Sequence, residues 1–285
     1  MKPAPFHYHA PKTVDHAIAK LAELSPRDGR ILAGGQSLIP MMAFRMARPA
    51  HLIDINSVAG LDRLAVEADT LSIGACVRHA AFHRPVVAGP TGALLAAVAR
   101  HIAHYPIRLR GTFCGSLAHA DPASEWCLTA VTLDAEIVAA SVRGRRIIAA
   151  DNYFEGMMAT ALAEDELLLE TRLPLLAPDM HFGFYEFSRR AGDYAIAMAL
   201  TTFRLRDGLI AEPRIGVGGA EARPRRIAAA EAVLAGRRPD SESFGAAAEA
   251  AAEAVDPMED VHADAEFRLD LVRAVTRRAL ERALA

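Results

Sequence analysis

The sequence has few cysteines and little net charge. Its three cysteines, Cys76, Cys114 and Cys127, cannot all pair and show no CxxC spacing, so they indicate neither a disulfide framework nor a structural zinc site. The 32 basic and 35 acidic residues leave a formal net charge of −3. Since this gives no basic field, nucleic acid and anionic membrane surfaces are poor candidates for a partner.

Long hydrophobic runs and the common nucleotide motifs are also missing. The longest apolar run, residues 93–99, is far shorter than the ~20 residues of a membrane span, and the first residues lack an apolar signal core, so we expect a cytoplasmic protein. The segment GVGGAE, residues 216–221, has Glu221 where GxGxxG requires glycine, and GxxxxGK[ST] does not occur. Neither a Rossmann fingerprint nor a phosphate-binding P-loop is therefore indicated.

The composition is that of an ordinary folded protein. Hydrophobic residues make up 52% of the 285 positions and charged residues 24%, which excludes disordered and collagen-like chains. At ~150 residues per domain, the length predicts about two domains. Prolines 174 and 178 interrupt the apolar pattern, so we predict a boundary there, with domains over residues 1–176 and 177–285.

Apolar periodicity predicts an α+β fold. Helices are expected over residues 14–24, 94–104 and 123–133, and a small βαβ unit has its strands at residues 30–33 and 51–56. A hairpin turn at Asp207-Gly208 and an alanine-rich helical tail from Arg226 suggest a C-terminal sheet covered by helices on one side. Further strands are predicted over residues 70–74, 136–140, 146–148, 167–174, 182–188, 195–206 and 209–217.

Two glycine-containing turns are candidate anion sites. Ala33-Gly34-Gly35-Gln36-Ser37-Leu38 leaves a predicted strand, and its glycines let backbone amides approach an anion while Ser37 adds a hydroxyl. Arg110-Gly111-Thr112-Phe113-Cys114-Gly115-Ser116 offers a second such loop, followed by Asp121 as an acceptor for cofactor hydroxyls. Two such loops could hold the diphosphate of a dinucleotide from both sides. An ordinary tight turn at Gly34-Gly35 and a helix-capping role for Asp121 are the alternatives.

Other candidates stand on weaker patterns. In Gly192-Asp193-Tyr194 a sharp turn could direct the tyrosine outward to stack on a flat cofactor, although a packed core tyrosine is the alternative. His101 and His104 could share one helical face, but they lack a third metal ligand with convincing spacing. The pairs Met41-Met42 and Met157-Met158 are interpreted as core residues.

Four segments in this order resemble a known family. AGGQSLIPMMAFRMARPAHLIDIN, RGTFCGSLAHADPASEW, EDELLLETRLP and RRAGDYAIA together look like the medium, FAD-binding subunits of the molybdenum hydroxylases. That group includes carbon monoxide dehydrogenase, the quinoline, nicotine and caffeine dehydrogenases, and the related xanthine dehydrogenase. The similarity spans nearly the whole chain.

The resemblance implies a fold and a cofactor site. It implies a PCMH-type FAD-binding domain of two α+β subdomains, about residues 1–57 and 58–176, and a C-terminal flavoprotein domain with a three-stranded antiparallel sheet and helices. FAD would lie between them, with the two glycine loops on its diphosphate, Asp121 at its ribityl chain and Tyr194 on its isoalloxazine ring. The implied cofactor-binding residues are Ala33, Gly34, Gly35, Gln36, Ser37, Leu38, Ile102, Ala103, Ile107, Gly111, Thr112, Gly115, Ser116, Ala118, Asp121, Leu162, Leu167 and Tyr194.

The resemblance also implies partners and a role. A large subunit with a molybdenum cofactor would oxidise the substrate, a small subunit would relay electrons through [2Fe-2S] clusters, and FAD in this chain would pass them to an external acceptor, in a dimer of heterotrimers. No side chain of this chain is expected to be catalytic, and no metal is expected in it. A stand-alone flavin oxidase would need acid and base residues that the sequence does not show.

The sequence departs from the family at two positions in the second loop. Cys114 stands where the family's TxGG segment has its first glycine, and Leu109 stands where many relatives have asparagine. If the glycine needs a positive φ or close contact with phosphate, a Cβ there weakens FAD binding. The alternative function is therefore a non-catalytic assembly subunit that has lost FAD.

Overall fold

The computed structural model describes residues 2–285. The first sheet is parallel and small, with strands β1 (His7–His9), β2 (Gly29–Leu32) and β3 (His51–Asp54) in the order β1-β3-β2. Helix α1 (Val14–Leu24) joins β1 to β2, and α2 (Leu38–Ala43) joins β2 to β3. The Thr13 hydroxyl accepts from the His16 amide at 3.2 Å and caps α1, so the helix predicted over residues 14–24 is confirmed. The predicted βαβ unit is confirmed.

A second, antiparallel sheet of five strands forms the middle of the chain. Its order is β4-β5-β10-β6-β7. Beside it lie the hairpin β8 and β9 and four helices. The bounds are β4 (Leu64–Glu67), β5 (Thr70–Gly74), β6 (Glu136–Ser141), β7 (Gly144–Ala149), β8 (Phe154–Gly156), β9 (Ala159–Thr160), β10 (Leu167–Pro174), α3 (Pro90–Ala99), α4 (Tyr105–Arg108), α5 (Phe113–His119) and α6 (Glu125–Thr132).

The helix predicted over residues 94–104 is wrong at both ends. It begins at Pro90, where the ring presets the backbone for a first helical turn, and it ends at Ala99. Residues 100–104 form a turn in which Ala103 has a positive φ of 40°. The Arg108 guanidinium holds this turn, donating to the carbonyls of Ile102 and Ala103 at 2.7 and 2.8 Å. The turn therefore depends on a side chain outside the helical pattern.

The third sheet belongs to the C-terminal part. Its three long antiparallel strands are those expected, and a two-residue strand is added at one edge, in the order β11-β12-β13-β14. Asp207 and Gly208 both have positive φ, as the predicted hairpin turn requires. The bounds are β11 (His181–Phe187), β12 (Ala197–Arg206), β13 (Leu209–Gly218), β14 (Arg225–Arg226), α7 (Ala228–Leu234), α8 (Ser241–Ala254) and α9 (Ala265–Arg282).

Helices cover both faces of this third sheet, not one. A Cβ added at Gly183 in β11 would lie 2.8 Å from the Ala283 amide at the end of α9. A Cβ at Gly216 in β13 would lie 2.8 Å from Leu128 of α6. Gly183 and Gly216 point to opposite faces, because the register aligns Gly183 with Ile215, the residue before Gly216. Helix α6 therefore ties the middle of the chain to the C-terminal sheet.

The interpretation of the Met157-Met158 pair as core residues is wrong, since both side chains are more than half exposed. The α+β class is confirmed, whereas the boundary near residue 176 stays a prediction. Among the helices formed by residues 2–285, none combines the length and the apolar character that crossing a bilayer requires.

The contact of α9 with β11 gives a stability prediction. Gly183→Ala places a methyl group against the backbone at the end of α9, which could move away only if the helix shifted from the sheet. We therefore expect a loss of roughly 1–3 kcal/mol in the free energy of unfolding. Urea titration measures it. The matched control is Gly156→Ala, because a Cβ at Gly156 meets no atom within 4 Å. Equal stability of the two variants would contradict this packing.

Candidate functional site

One large cavity, of about 900 Å³, opens where the first sheet, the helices of the middle segment and the loop before β12 meet. Its volume is at the upper end of the range for ligand pockets, which suits a dinucleotide. All of the predicted cofactor-binding residues line it except Leu162 and Leu167. The lining residues among them are Ala33, Gly34, Gly35, Gln36, Ser37, Leu38, Ile102, Ala103, Ile107, Gly111, Thr112, Gly115, Ser116, Ala118, Asp121 and Tyr194.

The first loop leaves β2 with a left-handed turn. Gly35 has a φ of 72°, which glycine adopts without strain. The Gln36 side chain donates to the Gly34 carbonyl at 3.1 Å, and the Gly35 carbonyl accepts from the Ile39 amide at 3.0 Å. Within residues 2–285, the amides from Gly34 to Ser37 donate to no protein acceptor. These donors are available to an anionic ligand in the cavity.

The two glycine loops touch each other through their backbones. A Cβ at Gly34 would lie 2.7 Å from the Gly111 Cα and closer still to the Arg110 carbonyl oxygen. No side chain separates the loops at this point. The contact joins segments 77 positions apart in the chain, and residues of both loops line the cavity. The two candidate anion-binding loops therefore form one continuous wall.

Two polar side chains that the sequence analysis missed connect the loops. Asn56 donates to the Ala33 carbonyl at 2.8 Å and accepts from Arg78 at 2.6 Å. The Arg78 guanidinium also donates to the Arg110 carbonyl. Asn56 ends the predicted strand at residues 51–56, but only the three-dimensional contact gives it this role.

Thr112 and His79 fix the second loop. The Thr112 hydroxyl caps α5, accepting from the Gly115 amide at 3.0 Å. A Cβ at Gly111 would lie 2.5 Å from His79 Nε2, so the imidazole packs directly on this glycine. Burial, with the charges of Arg108 and Arg78, lowers the pKa of His79 to about 3. His79 is therefore neutral, and because its Nδ1 accepts from Trp126 at 2.9 Å, its proton is assigned to Nε2.

Cys114 does not line the cavity. Its side chain is 2% exposed, and its Sγ lies 3.3 Å from the Ile73 carbonyl and 3.4 Å from Thr171 Oγ1, in the core beside β5 and β10. Burial raises the pKa of the thiol to about 12, so the thiol stays protonated. Cys114 also has no positive φ. Its Cβ and thiol therefore occupy the side of the loop that faces the sheet.

Asp121 and Glu125 line another part of the wall, beside the start of α6. Asp121 Oδ1 accepts from the Ala123 amide at 2.9 Å, so one oxygen stabilises the turn before the helix. Glu125, the first residue of α6, is buried. Burial, and next the charge of Glu186, raise the pKa of Glu125 to about 8. A neutral carboxyl group therefore lines the cavity at pH 7.

Tyr194 stands at the rim of the cavity. It is 70% exposed, in the loop between β11 and β12, as the outward-facing interpretation predicts. Gly192 before it has a φ of 88°, and a Cβ there would lie 2.7 Å from His104 Nδ1. Because His104 fills the space that a side chain at position 192 would need, glycine is required there on two grounds.

Leu162 and Leu167 lie apart from the cavity. Leu167 is 2% exposed and pairs with Ala140 between β10 and β6, and Leu162 packs on the edge of the same core. Their role in cofactor binding stays a prediction. A further part of the lining, which the sequence analysis did not assign, comes from charged and apolar residues of the first sheet and its loops, including Asp28, Arg30, Met46, Arg48 and Pro49.

Comparison with known protein families gives two matches. Residues 4–176 match the family described as the FAD binding domain in molybdopterin dehydrogenase. Residues 182–283 match the family described as the CO dehydrogenase flavoprotein C-terminal domain. Together the two matches cover nearly all of the chain.

Curated relatives and solved structures match over the full length. The nicotine 6-hydroxylase medium subunit of Paenarthrobacter nicotinovorans is 39% identical over 98% of each chain. The carbon monoxide dehydrogenase medium chain of Hydrogenophaga pseudoflava is 35% identical over 100% of this chain and 99% of its own. A structure of carbon monoxide dehydrogenase from that organism superposes with a TM-score of 0.95 at 36% identity, covering 100% and 99% of the two chains. Quinoline 2-oxidoreductase from Pseudomonas putida 86 gives 0.92 at 36% identity, covering 99% and 98%.

The raised pKa of Glu125 makes stability depend on pH. Between the ordinary glutamate value of 4.5 and about 8, the folded chain keeps a proton that the unfolded chain loses, so the free energy of unfolding falls as the pH rises through this window. The free energy of unfolding of the wild type falls by an amount on the order of a few kcal/mol across this window, and we expect this fall to be absent in Glu125→Gln. Denaturant titrations across this range measure it. The exposed Glu155→Gln is the control, and parallel pH profiles of wild type and Glu125→Gln would contradict the assignment.

Proposed function

Because this chain belongs to the family of FAD-binding medium subunits of the molybdenum hydroxylases, we propose that it holds one FAD in the large cavity and delivers electrons to an external acceptor. The electrons come from a small subunit with [2Fe-2S] clusters, which receives them from a large subunit with the molybdenum cofactor. FAD supplies the redox chemistry, since a flavin accepts and returns electrons. The protein supplies binding, orientation and exclusion of water.

The observation that carries this proposal is the contact between the two glycine loops. Their backbones meet at Gly34 and Gly111 and form one wall of a cavity large enough for a dinucleotide. The unpaired amides of the first loop can donate to the two charges of a diphosphate, and Ser37 adds a hydroxyl that makes no capping bond to α2. Backbone donors suit this ligand because they need no side-chain ordering when it binds.

The remaining walls suit the other parts of FAD. Tyr194 presents an aromatic ring at the rim, where it can stack on one face of the isoalloxazine and limit access to it. Asp121 uses Oδ1 to accept from the Ala123 amide, so its other carboxylate oxygen, Oδ2, can accept from a ribityl hydroxyl. Ile102 and Ala103 line the cavity from a turn that Arg108 holds rigid.

The assembly proposed here is a dimer of heterotrimers in the cytoplasm. The three cysteines are free and buried, as in a reducing compartment. The relatives named as medium subunits or medium chains support a complex of several chains. The substrate pocket of such a complex lies on another chain, so this chain contributes the electron outlet.

The FAD site is tested by Gly34→Ala. The added methyl group pushes the two loops apart at the Arg110 carbonyl, so we expect the purified chain to lose FAD affinity at least about tenfold, equivalent to roughly 1.4 kcal/mol. Flavin absorbance after reconstitution and gel filtration measures it. Gly156→Ala, in open space at β8, is the control and should keep wild-type FAD content. Undiminished FAD binding by Gly34→Ala would count against this site.

Gly34→Ala also tests whether electrons leave the complex through the FAD of this chain, and here the variant is studied in the complex copurified with its partner chains. Complex reduced with a stoichiometric amount of dithionite is mixed with a soluble quinone, and reoxidation of the iron-sulfur absorbance is followed. We expect the complex with Gly34→Ala to reoxidise more slowly than wild type, because the flavin step is missing. Reoxidation at the wild-type rate without FAD would refute an outlet through this chain.

The alternative function, an assembly subunit without FAD, depends on Cys114 blocking the second loop. The Sγ of Cys114 lies in the core beside β5 and β10, which supports a loop that still accepts a diphosphate. Cys114→Gly should leave FAD content unchanged and lower stability by roughly 1–3 kcal/mol through the lost core contacts and the helical glycine. Flavin absorbance and urea titration measure both quantities. A large gain in FAD content would favour the alternative.

A further inference from the structure

The second glycine loop has few backbone donors left for a ligand. Most of its amides already donate to acceptors within the protein, namely those of Arg110, Gly111, Phe113, Gly115 and Ser116. The first loop differs, because its amides from Gly34 to Ser37 donate to no acceptor among residues 2–285. An anion between the loops would therefore need a side-chain donor on the side of the second loop.

His79 lies directly on the second loop. It begins the short 3₁₀ helix His79–His83, and its amide donates to the Gly111 carbonyl at 3.0 Å. A Cβ at Gly111 would lie 2.5 Å from His79 Nε2 and 2.6 Å from its Cδ2, so this edge of the imidazole rests on the glycine. His79 is 4% exposed, and it lines the cavity. Its position is therefore fixed by backbone contacts to the loop.

A hydrogen bond from Trp126 fixes the proton of the His79 ring. Trp126 is fully buried in α6, and its Nε1 lies 2.9 Å from His79 Nδ1. Because an indole nitrogen only donates, Nδ1 must be the acceptor and carries no proton. The ring is then neutral, with its one proton on Nε2. The pKa of about 3, which burial sets, agrees with this geometry.

The Nε2 group of His79 has no acceptor in the protein. No group among residues 2–285 accepts a hydrogen bond from it, yet Nε2 is absent from the fully enclosed polar atoms that lack a partner. It is therefore reached from the cavity that His79 lines. The charged side chains that act on the ring, Arg108 and Arg78, are donors themselves and bond to backbone carbonyls. A buried donor without a partner is unfavourable, and an acceptor on a ligand would remove that cost.

We propose that His79 donates from Nε2 to an oxygen of the FAD diphosphate, and that Trp126 is a positioning residue that holds the imidazole in the required tautomer. The inference rests on the proposed function, because the diphosphate is the acceptor. Nε2 lies against Gly111, where the second loop meets Gly34 of the first. The two sides of the site then differ, since backbone amides donate on one side and a neutral imidazole on the other.

The first experiment observes the proton itself. The purified chain, labelled with ¹⁵N at histidine, is followed by long-range ¹H–¹⁵N NMR, and the signal of His79 is assigned by its absence in His79→Phe. We expect a neutral ring protonated on Nε2 from about pH 5 to 8, where an ordinary histidine titrates. Added FAD should shift the Nε2 proton downfield, and riboflavin, which has no diphosphate, should not. A proton on Nδ1, or an Nε2 proton unmoved by bound FAD, would overturn the proposal.

The second experiment separates a contact with the diphosphate from a general structural role. Flavin fluorescence measures the affinity of His79→Phe for FAD and for riboflavin. We expect the affinity for FAD to fall at least about tenfold, since the lost bond has a charged acceptor, and the affinity for riboflavin to stay unchanged. His79→Gln should recover most of the affinity for FAD, because its amide can accept from Trp126 and donate to the ligand. Equal losses for both flavins would show that His79 acts only through the fold, and would overturn the proposal.

Matched controls distinguish this inference from the proposed function. His83→Phe changes a histidine of the same short helix that does not line the cavity, so its affinity for FAD should be that of the wild type. If His79→Phe does not fold, His79→Gln and the wild-type NMR spectra decide the outcome. Wild-type FAD affinity in a folded His79→Phe would overturn the His79 contact and leave the FAD site standing. A wild-type chain that binds no FAD would instead overturn the proposed function.

Discussion

The close approach of two backbones, at Gly34 and at Arg110-Gly111, is the constraint on which the site depends. A methyl group at position 34 would overlap the other loop, so the distance between the loops is set by the absence of a side chain. Hydrogen bonds from Asn56 and Arg78 to carbonyls of the two loops hold this contact. The Asn56 bond contributes ~1 kcal/mol net, and each bond from the Arg78 guanidinium roughly 1.5–3 kcal/mol. The packing of the two backbones sets the distance between the loops, and the hydrogen bonds hold the loops in this position.

Each of the three sheets supplies one wall of the cavity. The first loop leaves the carboxyl end of β2, where ligands of parallel sheets commonly bind. The second loop pairs through Thr112 with Arg78, just beyond β5 of the second sheet. Tyr194 stands between β11 and β12 of the third sheet, and α6 packs against β13 of that same sheet. Because one buried helix packs between the second sheet and the third, the packing of α6 sets the position of these walls relative to one another.

The sequence predicted the features that depend on neighbouring residues. The helix over residues 14–24 and the turn at Asp207-Gly208 are properties of a few consecutive positions. The features that it missed depend on distant contacts. The end of α3 is set by Arg108, and His79 faces the cavity because Trp126 and Gly111 pack on it. The resemblance added the lining residues Ile102, Ala103, Ile107 and Ala118, since it carries information about three-dimensional neighbours that periodicity lacks.

Burial leaves two ionisable groups of the cavity wall, His79 and Glu125, without charge. It lowers the pKa of the His79 imidazole and raises that of the Glu125 carboxyl, so both groups are neutral at pH 7. Among residues 2–285, the lining cations with permanent charge are Arg30 and Arg48, at the part formed by the first sheet. A diphosphate would then be held by amide dipoles, and the isoalloxazine would lie beside polar but uncharged groups.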